Sequence, residues 1–161
     1  MNLVIRDAKP EDADAGCLVL RRSITELCVD HHHNDPSILV GWLSNKTPIN
    51  FQAWLAQPGN SLLVAVDDAR ILAVGSVTDA GQISLNYVSP DARFCGVSKA
   101  LLLALETRAA ERGSMFSTLN STETARRFYA ANGYAEIEKP AGFGMNSGYP
   151  MSKPLSIKVH D

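Results

Sequence analysis

Residues 93–99, Arg-Phe-Cys-Gly-Val-Ser-Lys, combine groups that can hold an anion with the start of a helical pattern. Arg93 and Lys99 carry positive charge, and the Ser98 hydroxyl can donate a hydrogen bond. Gly96 lets the backbone approach a ligand closely. The first turn of a helix leaves several N–H groups unpaired, and its dipole makes that end partly positive. The segment therefore predicts a phosphate-binding turn, and a plain strand–turn–helix junction with two solvated cations is the alternative.

Two other groups of residues have types that could do chemistry. Cys95 lies in the same turn and is a candidate nucleophile, although a covalent mechanism is not the favoured interpretation. The run of three histidines at 31–33 is a candidate metal site. Adjacent side chains on an extended chain point in alternating directions, so three neighbours cannot easily bind one ion. We therefore expect no metal, and a packing, solvated or substrate-contacting role for the histidines.

Composition limits the classes of protein that can carry these residues. The chain has 161 residues, 45% of them hydrophobic and 20% charged, which fits one globular domain over 1–161. Its net charge of -2 argues against a broad nucleic-acid surface. Three scattered cysteines indicate reduced thiols, and we find neither a signal peptide nor an apolar run of the ~20 residues that span a bilayer. These features predict a soluble cytoplasmic protein with no membrane partner.

The hydrophobic pattern predicts the elements that position the turn. A helix entered at Pro10 has apolar residues at spacings of three and four, and two shorter helices carry Trp42 and Trp54. Both tryptophans are expected to pack, and one of them could line a pocket. The remaining predicted elements are strands at 3–5, 61–68, 70–79, 82–88 and 115–120, a helix at 97–112, a helix capped by Asn120 and Glu123 or by Thr122, and strands at 134–139 and 151–159 around a glycine-rich loop at 141–150.

The predicted fold class is mixed α/β, with a largely antiparallel central sheet flanked by helices. The unit at 82–120 should be a right-handed crossover that joins neighbouring parallel strands.

The sequence of the turn resembles the acetyl-CoA-binding motif of the GNAT superfamily of N-acetyltransferases. That motif is Gln/Arg-x-x-Gly-x-Gly/Ala after a strand that ends in hydrophobic-x-Pro. Here Arg93, Gly96 and Ser98 occupy the motif positions, after Val88 and Pro90. Ser98 stands where the family usually has Gly or Ala, and serine is small enough for the site to be retained.

A second stretch is similar to the same family's "N…A…FY…GF" signature. It contains Asn120, Ala125, Phe128, Tyr129 and a Gly-Tyr pair at 133–134. The two motifs cover about residues 82–135, and the order of elements agrees along the whole chain. The resemblance implies the GNAT-like acyl-CoA N-acyltransferase fold.

The resemblance also implies roles for individual residues, with acetyl-CoA as co-substrate. The diphosphate should lie on the backbone N–H groups of residues 94–99. The pantetheine arm should pair with residues 86–88, where a bulge separates two parallel strands. The Val88 N–H would polarise the thioester carbonyl, and Tyr129 would be the general acid. The implied cofactor contacts are Asn86, Tyr87, Val88, Arg93, Phe94, Cys95, Gly96, Val97, Ser98, Lys99 and Asn120.

Two of these residues have a simpler alternative. Tyr129 could be only an aromatic residue on the buried helix face. Asn120 could bind pantetheine or only cap a helix.

The sequence does not identify a single general base. An amine with a pKa near ~10.4 must lose a proton before it attacks. The strand at 82–88 carries no carboxylate, which is where many family members have a glutamate. The candidates are Glu26, Asp30, His31, His32, His33 and a water molecule.

The acceptor is expected to be a small-molecule or peptide amine, and its identity, like the length of the acyl group, stays open. Dimers are common in such families, so a homodimer is one expected assembly. A GNAT-like module that senses acyl-CoA without turnover is the main alternative function. A metal-dependent hydrolase built on the histidines is a third hypothesis.

Overall fold

Seven strands and six α-helices follow one another along residues 1–138 and 148–156, the part of the chain that the computed structural model describes. The strands are β1 (Leu3–Asp7), β2 (Asn60–Asp67), β3 (Arg70–Thr78), β4 (Ile83–Val88), β5 (Phe116–Ser121), β6 (Ala135–Glu136) and β7 (Tyr149–Pro154). The helices are α1 (Ala13–Leu27), α2 (Val29–His32), α3 (Pro36–Leu43), α4 (Pro48–Ala56), α5 (Val97–Glu111) and α6 (Arg126–Ala131). Short 3-10 turns at Pro10–Asp12 and Pro90–Ala92 precede α1 and the turn before α5.

The strands form two antiparallel sheets that meet at one point. The larger sheet has the order β1-β2-β3-β4, and the smaller has β5-β7-β6. In the described chain a single parallel bridge, Gln82 to Thr118, joins the residue that precedes β4 to β5. The predicted mixed α/β class with a largely antiparallel sheet is confirmed. The parallel pairing expected for 82–120 is limited to that bridge, so a gap opens between the second half of β4 and β5.

Helices cover both faces of the larger sheet. Helix α5 packs on one face, and α1 and α4 pack on the other. Successive residues of β2 point to opposite faces, so Leu63 joins the core under α5 and Val64 joins the core under α1. Because both faces of the sheet are buried, the sequences of β2 and β3 are nearly continuous runs of apolar residues. A side chain at Gly75 would place its Cβ 2.8 Å from Leu105 Cδ1, so glycine there lets α5 lie close to β3.

A buried polar network ties α5 to the smaller sheet. Glu106 of α5 accepts hydrogen bonds from the Tyr134 hydroxyl and from Lys153 Nζ, each at 2.9 Å. Ser117 Oγ of β5 lies 2.7 Å from the same hydroxyl. Because every polar atom in this set has a partner, the charged pair can be buried without a large desolvation penalty. The network holds the Tyr134 ring edge-on to the Tyr129 ring, with centroids 5.6 Å apart.

The start of α6 corrects one prediction. Asn120 lies inside β5 and does not cap a helix, because the chain makes a turn at 123–125 before α6 begins at Arg126. The Asn120–Glu123 capping box is therefore wrong. Thr122, the rival cap, accepts a hydrogen bond from the Ala125 N–H at 3.3 Å through its hydroxyl.

The last strands differ in length from the prediction. The strand expected at 134–139 is the two-residue β6, to which Ile137 adds one hydrogen bond from its N–H to Pro150 O at 2.9 Å. Strand β7 begins at Tyr149, within the loop expected at 141–150, and ends at Pro154. Lys139, most of that loop and residues 157–159 lie outside the described residues.

Candidate functional site

The turn before α5 leaves a row of backbone N–H groups pointing outward. Phe94 and Gly96 both adopt left-handed backbone angles, with φ of 64° and 77°. The first hydrogen bond of the helix runs from the Ala100 N–H to Gly96 O at 3.1 Å. No described residue accepts a hydrogen bond from the N–H groups of residues 94–99. Successive free N–H groups in such a turn form a concave site for an anion.

Gly96 is required at this turn by its backbone angle and not by crowding. A Cβ built on it meets no atom within 4 Å, but its φ of 77° disfavours any side chain. We expect Gly96→Ala to lower the free energy of unfolding by about 1–2 kcal/mol, which is the cost of the left-handed conformation for alanine. Thermal melts measure this change.

Gly41→Ala is the matched control. Gly41 lies inside α3 with equally open space and no unusual φ. Alanine there should leave stability unchanged or raise it, since alanine favours helices. An equal loss at both positions would contradict the backbone argument.

Charged and aromatic side chains surround the turn. The Arg93 guanidinium lies over the Phe94 ring, 4.6 Å from its centroid, and that ring is 91% exposed. Arg93 and Lys99 have no ion-pair partner among the described residues, so both charges are available to a ligand. The exposed Cys95 thiol lies 3.5 Å from Arg93 O.

The end of β4 presents backbone groups to the gap between the two sheets. Ser89, directly after β4, donates its N–H to Leu72 O of β3 at 2.7 Å, and Val88 pairs with Ala73. Hydrogen-bonded and non-bonded pairs alternate along an antiparallel ladder, so the Val88 N–H points away from β3. The register of β4 slips between Ile83 and Leu85. The bulge expected at residues 86–88 is therefore earlier in the strand.

Tyr129 places a hydroxyl at the same gap. Asn86 Nδ2 donates a hydrogen bond to Tyr129 Oη at 3.0 Å. Because the phenol oxygen accepts this bond, its own proton stays available to a third group. Burial raises the pKa of Tyr129 to about 12, and the bond from Asn86 acts in the opposite direction. Tyr129 is therefore a protonated hydrogen-bond donor at neutral pH.

Three adjoining cavities connect the turn to the far side of β4. The first, of about 310 Å³, extends from the turn to Tyr129, and the second, of about 320 Å³, lies beside α2 and α3. A small cavity of about 70 Å³ shares Asn86 and Tyr129 with the first and Asn120 with the second. Tyr87 lines all three cavities. The depression is thus continuous from one side of the gap to the other.

Most of the residues predicted to contact a cofactor meet in the first cavity. It is lined by Asn86, Tyr87, Val88, Arg93, Phe94, Gly96, Val97, Ser98 and Lys99, together with Tyr129. Cys95 is not part of this lining, and Asn120 borders the other two cavities instead. Asn120 therefore does not share a cavity with the turn before α5.

Sequence reasoning missed Ser23 and left open which of the two tryptophans lines a pocket. Ser23 of α1 is buried and lines the first cavity. The sequence gives no signal for it, since one serine on an apolar helix face fits ordinary packing. Trp42 lines the second cavity, whereas Trp54 packs against the core under α1.

The three histidines among the candidate bases lie in different environments. His31 lines the second cavity, edge-on to the Trp42 ring at 5.1 Å between centroids. His32 is fully buried, with Nε2 2.9 Å from Ile24 O and Nδ1 accepting from the Asn34 N–H. His33 is exposed, with a φ of 53°. The three imidazoles therefore do not converge on one point.

The two carboxylate candidates are both exposed. Glu26 is bonded to Arg22 at 2.9 Å, and Asp30 lies at the start of α2.

Over residues 1–138 and 148–156, no three His, Cys, Asp or Glu side chains form a group that could hold a metal ion. Within the same residues, every helix is too short or too polar to cross a lipid bilayer.

Comparisons with known proteins agree with this geometry. A family profile described as an acetyltransferase (GNAT) domain matches residues 42–155. No curated protein sequence matches the chain.

Solved structures share the fold over nearly the whole chain. A GCN5-related N-acetyltransferase from Rhodopseudomonas palustris is 24% identical with a TM-score of 0.83, and the match covers 96% of this chain and 97% of that one. The PaiA N-acetyltransferase from Thermoplasma acidophilum, solved with coenzyme A, is 17% identical with a TM-score of 0.82 over 96% and 100%. The ribosomal-protein-S18-alanine N-acetyltransferase from Escherichia coli is 17% identical with a TM-score of 0.65 over 99% and 97%.

Proposed function

The chain belongs to the GNAT family of acetyltransferases, and on that premise we propose that it transfers an acetyl group from acetyl-CoA to a primary amine by direct attack. One observation carries the proposal. A single depression has the unpaired N–H groups of the turn at one end and the Tyr129 hydroxyl at the other. The diphosphate of acetyl-CoA can accept hydrogen bonds from the unpaired N–H groups. The departing thiolate requires a proton donor, and the Tyr129 hydroxyl can be that donor.

The residues of the chain supply distinct parts of the reaction. Acetyl-CoA contributes an activated acyl group as a thioester. The N–H groups of residues 94–99, with Arg93 and Lys99, hold the diphosphate. The Val88 N–H stabilises the negative charge that develops on the carbonyl oxygen. As the C–N bond forms and the C–S bond breaks, Tyr129 donates its proton to the sulfur and a base takes a proton from the amine.

The proposal is tested by two measurements on the full chain. Calorimetry should detect CoA binding, and a thiol-release assay with a panel of amines should detect turnover. Binding of acetyl-CoA without thiol release for any acceptor, together with no effect of Tyr129→Phe, would favour the sensor function instead. No binding of CoA or its esters would overturn the assignment.

Asn86 acts in this scheme through Tyr129. Its amide occupies one lone pair of the phenol oxygen and so orients the hydroxyl proton toward the cavity. We expect Asn86→Ala to lower kcat by about tenfold, which matches the loss of one hydrogen bond of 1–1.5 kcal/mol. In a Tyr129→Phe background the same change should have no further effect on kcat, because no hydroxyl is left to orient.

Ser84→Ala is the control for this cycle. Ser84 lies on the same strand and bonds to Ser76 Oγ at 2.7 Å, so its loss should spare kcat. Multiplicative effects of Asn86→Ala and Tyr129→Phe would assign Asn86 a structural role only.

His31 is the base that the cavities favour, because among the five side-chain candidates it alone lines the second cavity. A neutral imidazole takes a proton readily near neutral pH. We expect His31→Ala to lower kcat/KM by about 10²-fold, and added imidazole to restore part of the rate. His33→Ala, which removes an exposed neighbour, should leave the rate unchanged. Full activity of His31→Ala would point to a water molecule as the base.

A further inference from the structure

The second cavity has the position of an acceptor site, on the side of Tyr87 opposite the turn. We propose that this site takes a monoamine with an uncharged, apolar or aromatic body and rejects amines that carry a second ammonium group. The proposal rests on the proposed acetyltransferase function and names its substrate class. The cavity volume, about 320 Å³, is at the lower end of the range for small-molecule sites.

Among the described residues that line the cavity, none carries a charge that could neutralise a second cation. Its described lining residues are His31, Ile38, Trp42, Tyr87, Asn120, Ser121, Thr122 and Gly148. None of these carries a carboxylate. Residues 139–147, which precede Gly148 in the chain, contain neither Asp nor Glu. A second ammonium group in this cavity would lose part of its hydration without gaining an ion-pair partner among the described lining residues.

The carboxylate of Glu123 does not supply that partner. A hydrogen bond with Tyr149 and the nearby Arg126 hold the pKa of Glu123 below its usual value, and His31 has a smaller effect in the same direction, so this carboxylate lies within electrostatic range of the cavity. However, Glu123 is exposed and already bonded to Arg126 at 3.3 Å. An ion pair in contact with water adds little binding energy for a further cation.

Aromatic and aliphatic groups form one wall of the cavity, and the uncharged polar residues Asn120, Ser121 and Thr122 form the other. Trp42 Nε1 donates a hydrogen bond to Tyr87 Oη at 3.3 Å, which fixes both rings. His31 stands edge-on to the Trp42 ring, and Ile38 of α3 is 37% exposed. A single ammonium group can be held against aromatic faces until a base removes its proton. The remainder of the substrate then packs on an apolar surface that favours an uncharged body.

A matched pair of amines tests the charge selectivity directly. Hexylamine and 1,6-diaminohexane have the same chain and differ only in the second amino group. We expect kcat/KM for hexylamine to be about 30-fold higher, since an unpaired charge in a protein site is strongly disfavoured. The aromatic amine 2-phenylethylamine should be at least as good a substrate as hexylamine. Equal rates for the matched pair, or a preference for the diamine, would overturn the inference.

An added carboxylate should reverse the selectivity. Ile38→Glu places a negative charge on the cavity wall at a position exposed enough to tolerate it, and it should raise kcat/KM for the diamine relative to hexylamine by about tenfold. Val40→Glu is the control, because Val40 lies on the same helix, is 67% exposed and does not line the cavity. An identical change in both variants would indicate a general effect of charge and overturn the site assignment.

Failure of this inference is distinguishable from failure of the proposed function. If calorimetry detects acetyl-CoA and the diamine is acetylated preferentially, the substrate class is wrong and the transferase function stands. If acetyl-CoA binds and none of the three amines is acetylated while another amine of the panel is, the substrate class is wrong and the transferase function stands. If acetyl-CoA does not bind, both proposals fall.

Discussion

Tyr129→Phe is expected to lower kcat by about 10²–10³-fold while the affinity for CoA changes less than about twofold, since the phenol acts on the leaving group and not on the diphosphate. The loss should be seen in kcat as well as in kcat/KM because the proton moves only as the C–S bond breaks. Stopped assays of thiol release and calorimetry with CoA measure the two quantities. A kcat within threefold of the unaltered chain would remove Tyr129 from the chemistry.

The pH dependence gives a second check on the same residue. A general acid works in its protonated form, and the pKa of Tyr129 is raised to about 12. The rate should therefore not fall on the alkaline side until about pH 11, one unit below that value. A decline centred near pH 8 that disappears in Tyr129→Phe would contradict the raised pKa.

Tyr134→Phe is the matched control, since it removes a hydroxyl from a buried tyrosine next to Tyr129. The lost hydrogen bond to Glu106 leaves a buried carboxylate with one partner fewer, so we expect a loss of about 1–3 kcal/mol in stability. Its kcat should be unchanged. The two variants thus separate a tyrosine that does chemistry from one that holds the fold.

The second large effect is expected for Ser98→Asp. Ser98 is the second residue of α5 and lines the first cavity. A carboxylate at this position would repel a diphosphate on the turn, and at an effective dielectric constant near 20 one pair of like unit charges ~5 Å apart costs ~3 kcal/mol, so CoA binding should weaken by about 100-fold or more. The neutral variant Ser98→Asn should weaken binding only a few-fold.

Ser98→Asp should weaken CoA binding but should not lower the stability of the ligand-free protein. An acidic residue in the first turn of a helix is favourable, by about 0.3–1 kcal/mol. Ser98→Asp without ligand should therefore melt at the same temperature as the unaltered chain or slightly higher. Weak CoA binding together with a large drop in melting temperature would mean that the variant is damaged and not electrostatically excluded.

The fold and the local geometry of the turn before α5 could largely be predicted from the sequence. Glycine at 96 and a helical pattern after it are local signals, and both the left-handed φ and the start of α5 followed from them. The apolar runs of β2 and β3 predicted their strands for the same reason. Such signals depend on neighbours in the chain, which the sequence displays directly.

The arrangement of side chains around the gap depends on contacts between residues remote in sequence. The bond from Trp42 to Tyr87 spans 45 positions, and that from Asn86 to Tyr129 spans 43. No local pattern encodes these pairs. Nor does the run at 31–33 show which imidazole faces the cavity, because α2 ends with left-handed residues that turn the chain. The prediction that Asn120 caps a helix was wrong because β5 continues to Ser121, one residue beyond the predicted end of the strand.

The division of the sheet into two parts leaves a strand edge inside the protein. Past the Gln82–Thr118 bridge, the second half of β4 has no described strand beside it on the gap side. Unpaired strand edges recruit extended segments of other chains and can begin aggregation. A pantetheine arm paired with residues 86–88 would occupy that edge, so an acyl donor would also protect the protein from self-association.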